Sequence, residues 1–326
     1  MFGPPAPRPF DPGHLRLGTD LRRAGIDPGV AGWHRVRRGV WIERDVWLGL
    51  SSEQCHAAVV HAAALTFTSE VPAVFCATSA AALLGLPRIT PWPTGVEILA
   101  DADPDRRRRS RGGSHSVCRR HHPCAVTTSV AGLNLTPAAR VVVDLARFDL
   151  PENALAAADQ TLRLELCTRA DLAREVAALD TRARGVSAAR LILDLADGRA
   201  MSAGESLSRL QMFRLNLPRP ELQIEFRDSA GRIGFTDFCW RHRPSRPLVG
   251  EFDGRLKYKV ADGASPGEAG ETVWQEKRRE DRLRKQADVV RWTYDVARDE
   301  FRLGAHLAEY GIRPVARNLW FDLASA

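Results

Sequence analysis

The sequence predicts a mixed α/β chain of several domains, an α+β multidomain protein, and three observations lead there. Ala-rich stretches with apolar residues at helical spacing fill the middle of the chain. Short alternating strands bounded by Gly-containing turns fill the C-terminal third. Near the N-terminus a helix stop is followed by an Arg-Gly turn between apolar runs. At 326 residues the chain is long enough for domains with their own cores, and the composition breaks give modules over 1–50, 51–200 and 201–326.

In the first module, residues 21–24 end at Gly25, a helix stop. Asp27-Pro28 reads as an N-cap with Pro at the first helical position, which predicts a second short helix from Pro28 toward His34. Residues 36–42 then read as a tight Arg-Gly turn leading into a strand. Helix, turn, helix and an Arg-rich hairpin is the order of a winged helix-turn-helix. In that arrangement a helix N-terminus faces the major groove while Arg35, Arg37 and Arg38 meet phosphates. An ordinary small α/β start with solvated arginines fits the same spacing.

The middle module predicts helices over 54–67 and 78–85, the second capped by Thr or Ser and stopped by Gly, then a strand over 96–100. Residues 106–113 form a basic loop. Arg107, Arg108 and Arg109 in it either grip phosphates, making binding salt-sensitive, or form a solvated hairpin tip. His115, Cys118, His121, His122 and Cys124 lack the paired spacing of a zinc site. Helices are predicted over 137–148, 151–166, 169–179 and 187–195, and residues 197–204 read as a linker.

The third module predicts a helix over 205–216, a hairpin of strands over 222–226 and 233–240, and an apolar strand over 248–252. A polar Gly-rich loop over 261–270 precedes a charged helix over 274–286, a strand over 289–292 and a final helix over 295–307.

Lys and Arg number 47 against 40 Asp and Glu, a net charge of +7 that favours a polyanionic partner, DNA above all. No apolar run approaches the ~20 residues that cross a bilayer, so no membrane partner is expected. Residues 1–12 lack the apolar centre of a secretory signal, and the six scattered Cys suit reduced thiols in a cytoplasm. Phosphate-cradling glycine motifs and a nucleophile elbow are missing, so no small-molecule cofactor is expected.

The chemistry gathers on Glu205, Asp237, Glu251 and Asp253. Glu251 and Asp253 sit two apart at a strand end and share a face, and a neighbouring strand brings Asp237 alongside. Three converging carboxylates repel unless a divalent cation, Mg²⁺ or Mn²⁺, lies between them. Such an ion polarises a phosphodiester oxygen and activates water. Lys257 then stabilises the transition state or orients that water, and Glu205 either caps its helix or reaches the metal. In the charged helix, Arg279 faces the carboxylates while Lys277 and Arg278 touch a DNA backbone; a solvated face with i,i+4 pairs is the plainer reading. An Asp-Gly at a strand end is by itself a turn signal. The conjunction of acidic helix, strand Asp, Glu-x-Asp strand and basic helix is what points to metal-dependent phosphodiester hydrolysis.

At Thr236-Asp237-Phe238, Glu251-Phe252-Asp253-Gly254, Glu276 with Arg279 and Leu283, and Val289-Val290-Arg291-Trp292, the C-terminal third resembles the very-short-patch-repair-like endonuclease domains of the PD-(D/E)XK superfamily. The resemblance covers about residues 204–294 and implies a restriction-endonuclease-like mixed sheet flanked by helices. Two positions depart from the family pattern: Lys257 or Lys259 stands where a His is expected, and Asp253 where a Lys is usual. The front two-thirds resembles bacterial AbiEi-type antitoxin proteins at residues 37–41, 79–86 and 136–146. That likeness implies DNA binding through a winged helix, but an antitoxin role for this chain does not follow from it; a cognate toxin or a homo-oligomer is a further partner to expect. Two functions are expected on these grounds: a DNA-binding metal-dependent endonuclease, or an antitoxin-type transcriptional regulator whose nuclease-like domain is inactive.

Overall fold

Strand pairing, not a second helix, organises the N-terminal segment. The structure is a computed structural model that describes residues 9–30, 32–67, 72–99, 117–120, 126–241, 246–254 and 266–321. Strand β1 (Arg16–Leu17) leads into helix α1 (Gly18–Arg23), and β2 (Trp33–Arg37) turns through Arg38-Gly39 into β3 (Val40–Glu43), giving a sheet of order β1-β3-β2. The helix expected from Pro28 toward His34 does not form. The Asp27 carboxylate accepts from Gly29 N at 2.9 Å, a local turn that competes with helix initiation. Residues Trp33 to Arg37 are paired with β3 instead, so the winged order lacks its second helix.

Helix α2 (Arg44–Leu48) precedes helix α3 (Ser52–Thr66), the latter opened by a reciprocal capping box of Ser51 and Gln54. Val36, Val40 and Ile42 of the hairpin share a core with Ala57, Ala58 and Ala62 of α3, so the first fifty residues pack onto this helix rather than standing as a module apart. A second sheet comprises β4 (Val74–Phe75), β5 (Val96–Leu99), β6 (Val117–Arg120), β7 (Thr128–Val130) and β8 (Leu133–Leu135), in the order β6-β5-β4-β8-β7. Helix α4 (Ala77–Leu83) is capped not by its own Thr or Ser but by Glu97 of β5, whose Oε2 accepts from Thr78 N at 2.9 Å. Helices α5 (Ala138–Phe148), α6 (Pro151–Arg163), α7 (Arg169–Ala177) and α8 (Val186–Leu195) pack together behind it. Arg88 forms an ion pair with Asp149, both side chains 12% exposed, and Asn153 Oδ1 accepts from Ile89 N and Thr90 N at 3.0 and 3.1 Å.

The chain divides into two compact units, Met1–Ala196 and Asp197–Ala326. The second contains α9 (Ala203–Arg214), β9 (Glu221–Asp228), β10 (Gly231–Trp240), β11 (Leu248–Asp253), α10 (Pro266–Arg284), β12 (Asp288–Thr293), α11 (Tyr294–Ala297) and α12 (Glu300–Glu309). Its sheet has the order β12-β11-β10-β9. Strands β9, β10 and β11 are antiparallel neighbours and β12 runs parallel to β11, with α10 as the crossover. The loop expected over 261–270 gives way to α10 from Pro266 onward. The final helix is two helices, because the Asp299 carboxylate accepts from Phe301 N and Arg302 N, both at 3.1 Å, and starts a new one.

Close packing brings α9 onto β11: a Cβ on Gly204 would lie 2.1 Å from the Phe252 ring. Trp292 Nε1 donates to Ser208 Oγ at 2.9 Å, and the Trp292 ring stacks with Phe238 at 5.2 Å between centroids. The architecture is thus mixed α/β in separate units. Among the described residues no helix is long and apolar enough to cross a membrane.

Candidate active site

Strand register builds the site. Thr236 pairs with Ile224 and Phe238 with Leu222, which sets Asp237 opposite Gln223. Phe238 pairs with Gly250, so the next step sets Asp237 beside Glu251, and Glu251 pairs with Arg291. Gln223, Asp237, Glu251 and Arg291 therefore form one row across β9, β10, β11 and β12, on one face of the sheet. Asp253, two residues beyond Glu251, belongs to the same face one step further along β11.

Each carboxylate in the row is held. Asp237 is 9% exposed, and its Oδ2 accepts from Phe252 N at 2.8 Å. The Arg279 Nη2 lies 3.2 Å from Glu251 Oε1 and donates to Phe235 O at 2.7 Å. Arg279 reaches these partners by crossing β10 at Gly234, where a Cβ would stand 2.9 Å from its Nε. Arg291 Nη2 pairs with Glu280 at 3.2 Å. Burial first, and then the neighbouring Asp237 charge, push the Glu251 carboxyl up to about 7, against the pull of Arg279 and Arg291. Two like charges share a poorly solvated spot, and two guanidinium groups compensate them only in part.

Glu205, 4% exposed, is turned into the start of its own helix. Its Oε1 accepts from Ser202 Oγ at 2.8 Å and its Oε2 from Met201 N at 2.9 Å. It joins the row through Gln223, whose amide nitrogen lies 3.4 Å from Glu205 Oε2 and 3.5 Å from Asp237 Oδ1. Among the described residues no three His, Cys, Asp or Glu side chains are grouped as ligands for one ion. The three-carboxylate convergence expected of Asp237, Glu251 and Asp253 thus reduces to the Asp237–Glu251 pair.

Of the basic residues, Arg279 is bound into the site, while Lys277 and Arg278 are exposed and Arg278 lies over the Trp274 ring at 4.6 Å. Arg35 and Arg38 are exposed on the N-terminal hairpin, whereas Arg37 tucks in with its Nη1 buried and unpartnered among the described residues. Lys257, Lys259 and Arg107, Arg108 and Arg109 lie outside the described residues, as do His115, His121, His122, Cys124 and the side chain of Cys118. Gln223 is the functional candidate that sequence reasoning missed, since only the register of β9 against β10 reveals it.

No family model matches the chain. Two Mycobacterium tuberculosis proteins carry the description uncharacterized: MT2308, from strain CDC 1551 / Oshkosh, and Rv2248, from strain H37Rv. Each is 32% identical over 271 residues, spanning 81% of this chain and 91% of its own. Each compact unit is larger than the unmatched part of the chain, so the match enters both.

Proposed function

This chain belongs to the same family as those two mycobacterial proteins, and we propose that its C-terminal unit is a metal-dependent DNA endonuclease attached to a DNA-contacting N-terminal region. The buried pair Asp237 and Glu251 carries the proposal. Two adjacent carboxylates held out of water raise each other's energy, and a divalent cation between them removes that cost. The donor set fits Mg²⁺ or Mn²⁺, because Mg²⁺ commonly takes only one or two protein carboxylates and fills its remaining positions with water and phosphate oxygens. Asp237 and Glu251 would hold the ion, with Asp253 within the same face and Glu205 supporting through Gln223. When bound, the ion supplies Lewis acidity to a phosphodiester oxygen and acidifies a water molecule.

The remaining residues orient and neutralise. Phe252 N fixes one oxygen of Asp237, and Arg279 fixes Glu251 while anchored on Phe235 O. Arg291 adds positive charge beside the pair, where a scissile phosphate is favoured. Lys257 is assigned to the phosphate or the transition state. Exposed Lys277 and Arg278 contact a DNA backbone, and Arg35 and Arg38 do so from the N-terminal hairpin. With no second helix in the winged segment, these contacts give affinity more than base readout. The order of strand Asp, Glu-x-Asp strand, Arg-bearing helix and Arg-bearing strand supports the likeness to the very-short-patch-repair-like nucleases.

One observation favours a second reading, an AbiEi-type regulator with a silent nuclease-like unit: Arg279 already pairs with Glu251. Supercoiled plasmid with Mg²⁺ or Mn²⁺ separates the two. Nicking or linearisation that disappears in Asp237→Ala and Glu251→Ala supports the nuclease. Absence of cleavage with either metal, or cleavage that survives both substitutions, overturns it.

A further inference from the structure

Gln223 lies within β9 with a backbone φ of +52°, the left-handed region that a residue with a side chain enters at a cost and that is rare inside a strand. Its NH₂ group faces two carboxylates, Glu205 at 3.4 Å and Asp237 at 3.5 Å. Ionised carboxylates only accept, so the amide must present nitrogen rather than oxygen, and its two hydrogens serve one acid each. The opposite oxygens are engaged elsewhere, Glu205 Oε1 by Ser202 Oγ and Asp237 Oδ2 by Phe252 N, both at 2.8 Å. The glutamine amide thus ties the acid on α9 to the acid on β10.

Resting on the reading of this unit as a metal-dependent nuclease, we infer that Gln223 is a positioning residue: its amide sets the attitude of Asp237 and Glu205 in which Asp237 and Glu251 take a divalent cation. The strained backbone is kept because a shorter side chain, or one without an N–H, cannot reach both acids. Such a supporting partner acts on ion affinity through the residues it holds.

The test uses the full chain and follows Mn²⁺ binding by the electron paramagnetic resonance of the free ion, across a pH series, beside plasmid nicking. Gln223→Gly suits the left-handed backbone and is expected to fold at least as stably as wild type. Gln223→Asn is also tolerated there and keeps an amide one methylene too short. Both are expected to bind Mn²⁺ about ten- to a hundredfold more weakly, with nicking reduced in step. The pH midpoint of Mn²⁺ binding moves upward in both, because a carboxylate that loses a hydrogen-bond donor holds its proton more tightly. A folded Gln223→Gly chain with wild-type Mn²⁺ affinity and pH midpoint overturns this role and leaves the nuclease reading standing. A wild-type chain that neither binds Mn²⁺ nor nicks overturns both. Loss of folding in both variants also overturns the role, since the strain argument requires glycine to be tolerated.

Discussion

Replacing Glu251 by Gln removes a charge from a buried site at nearly constant shape. The folded chain holds the Glu251 proton up to about 7, from an ordinary value of 4.5, through burial and the Asp237 charge. A displacement of that size corresponds to about 3 kcal/mol. Below the ordinary value both folded and unfolded chains carry the proton, and the group is neutral to stability. As pH rises toward 7 the unfolded chain releases its proton first, so the folded state loses stability, and the loss is complete above 7. Glu251→Gln stays neutral throughout, and Arg279 keeps its bond to Phe235 O. The variant is therefore expected to be more stable than wild type by about 3 kcal/mol at about pH 8, with the difference fading at about pH 4. Urea unfolding across this pH range, read by hydrogen exchange in peptides from β10 and β11, tracks the C-terminal unit alone. Saturating Mg²⁺ is expected to narrow the gap by stabilising only the wild type. A variant less stable than wild type at the alkaline end, or a difference indifferent to pH, refutes the reasoning.

Three other outcomes are expected. Gly204→Ala forces α9 away from the Phe252 ring, which the new Cβ would approach to 2.1 Å; the C-terminal unit should lose about 2 kcal/mol in urea, and an unchanged midpoint would contradict that packing. Arg88→Met takes the cation from the Asp149 carboxylate, leaving Leu150 N at 2.7 Å and Asn153 Nδ2 at 2.9 Å as donors in a site 12% exposed on each side; the N-terminal unit should lose about 2 kcal/mol, visible as a lower melting temperature in calorimetry, and unaltered melting would count against this pair. Removing Arg35 and Arg38 together should reduce the slope of log affinity for DNA against log salt by about two, equally for unrelated sequences. A slope that stays put would place DNA contact elsewhere.

Much of the fold was legible wherever local chemistry and tertiary packing agree. Helix starts expected at Pro151 and Arg169 fall where the structure has them, whereas the reciprocal cap of Ser51 with Gln54 opens α3 at Ser52, two residues ahead of the expected Gln54. The short apolar runs around Asp237 and Glu251 placed both on strands, and these strands are buried on both faces there. Elsewhere long-range pairing overrode the local signal. Asp27-Pro28 has the form of a helix start, yet the neighbouring segment gains more by pairing Trp33 to Arg37 with β3. Asp299 reads as one more polar residue in a helical run, but its side chain caps a new helix. In the site, the acids could be named from spacing, whereas Gln223 carries no motif, and its positive φ is the opposite of what strand propensity suggests. Pairwise register between distant strands is information that neither residue holds alone.

The parallel seating of β12 beside β11 also sets an order of assembly on the ribosome. Asp237 and Glu251 leave the exit tunnel as part of a meander that can pair at once, whereas Arg279 and Arg291 come later, on the crossover helix and the closing strand. A growing chain therefore carries its acidic pair before the guanidinium groups that temper it, and β11 waits with an open edge until the last strand arrives. Synthesis that stalls within α10 leaves the acids without Arg291 and the sheet without its last strand, and exposes the half-made unit to proteolysis.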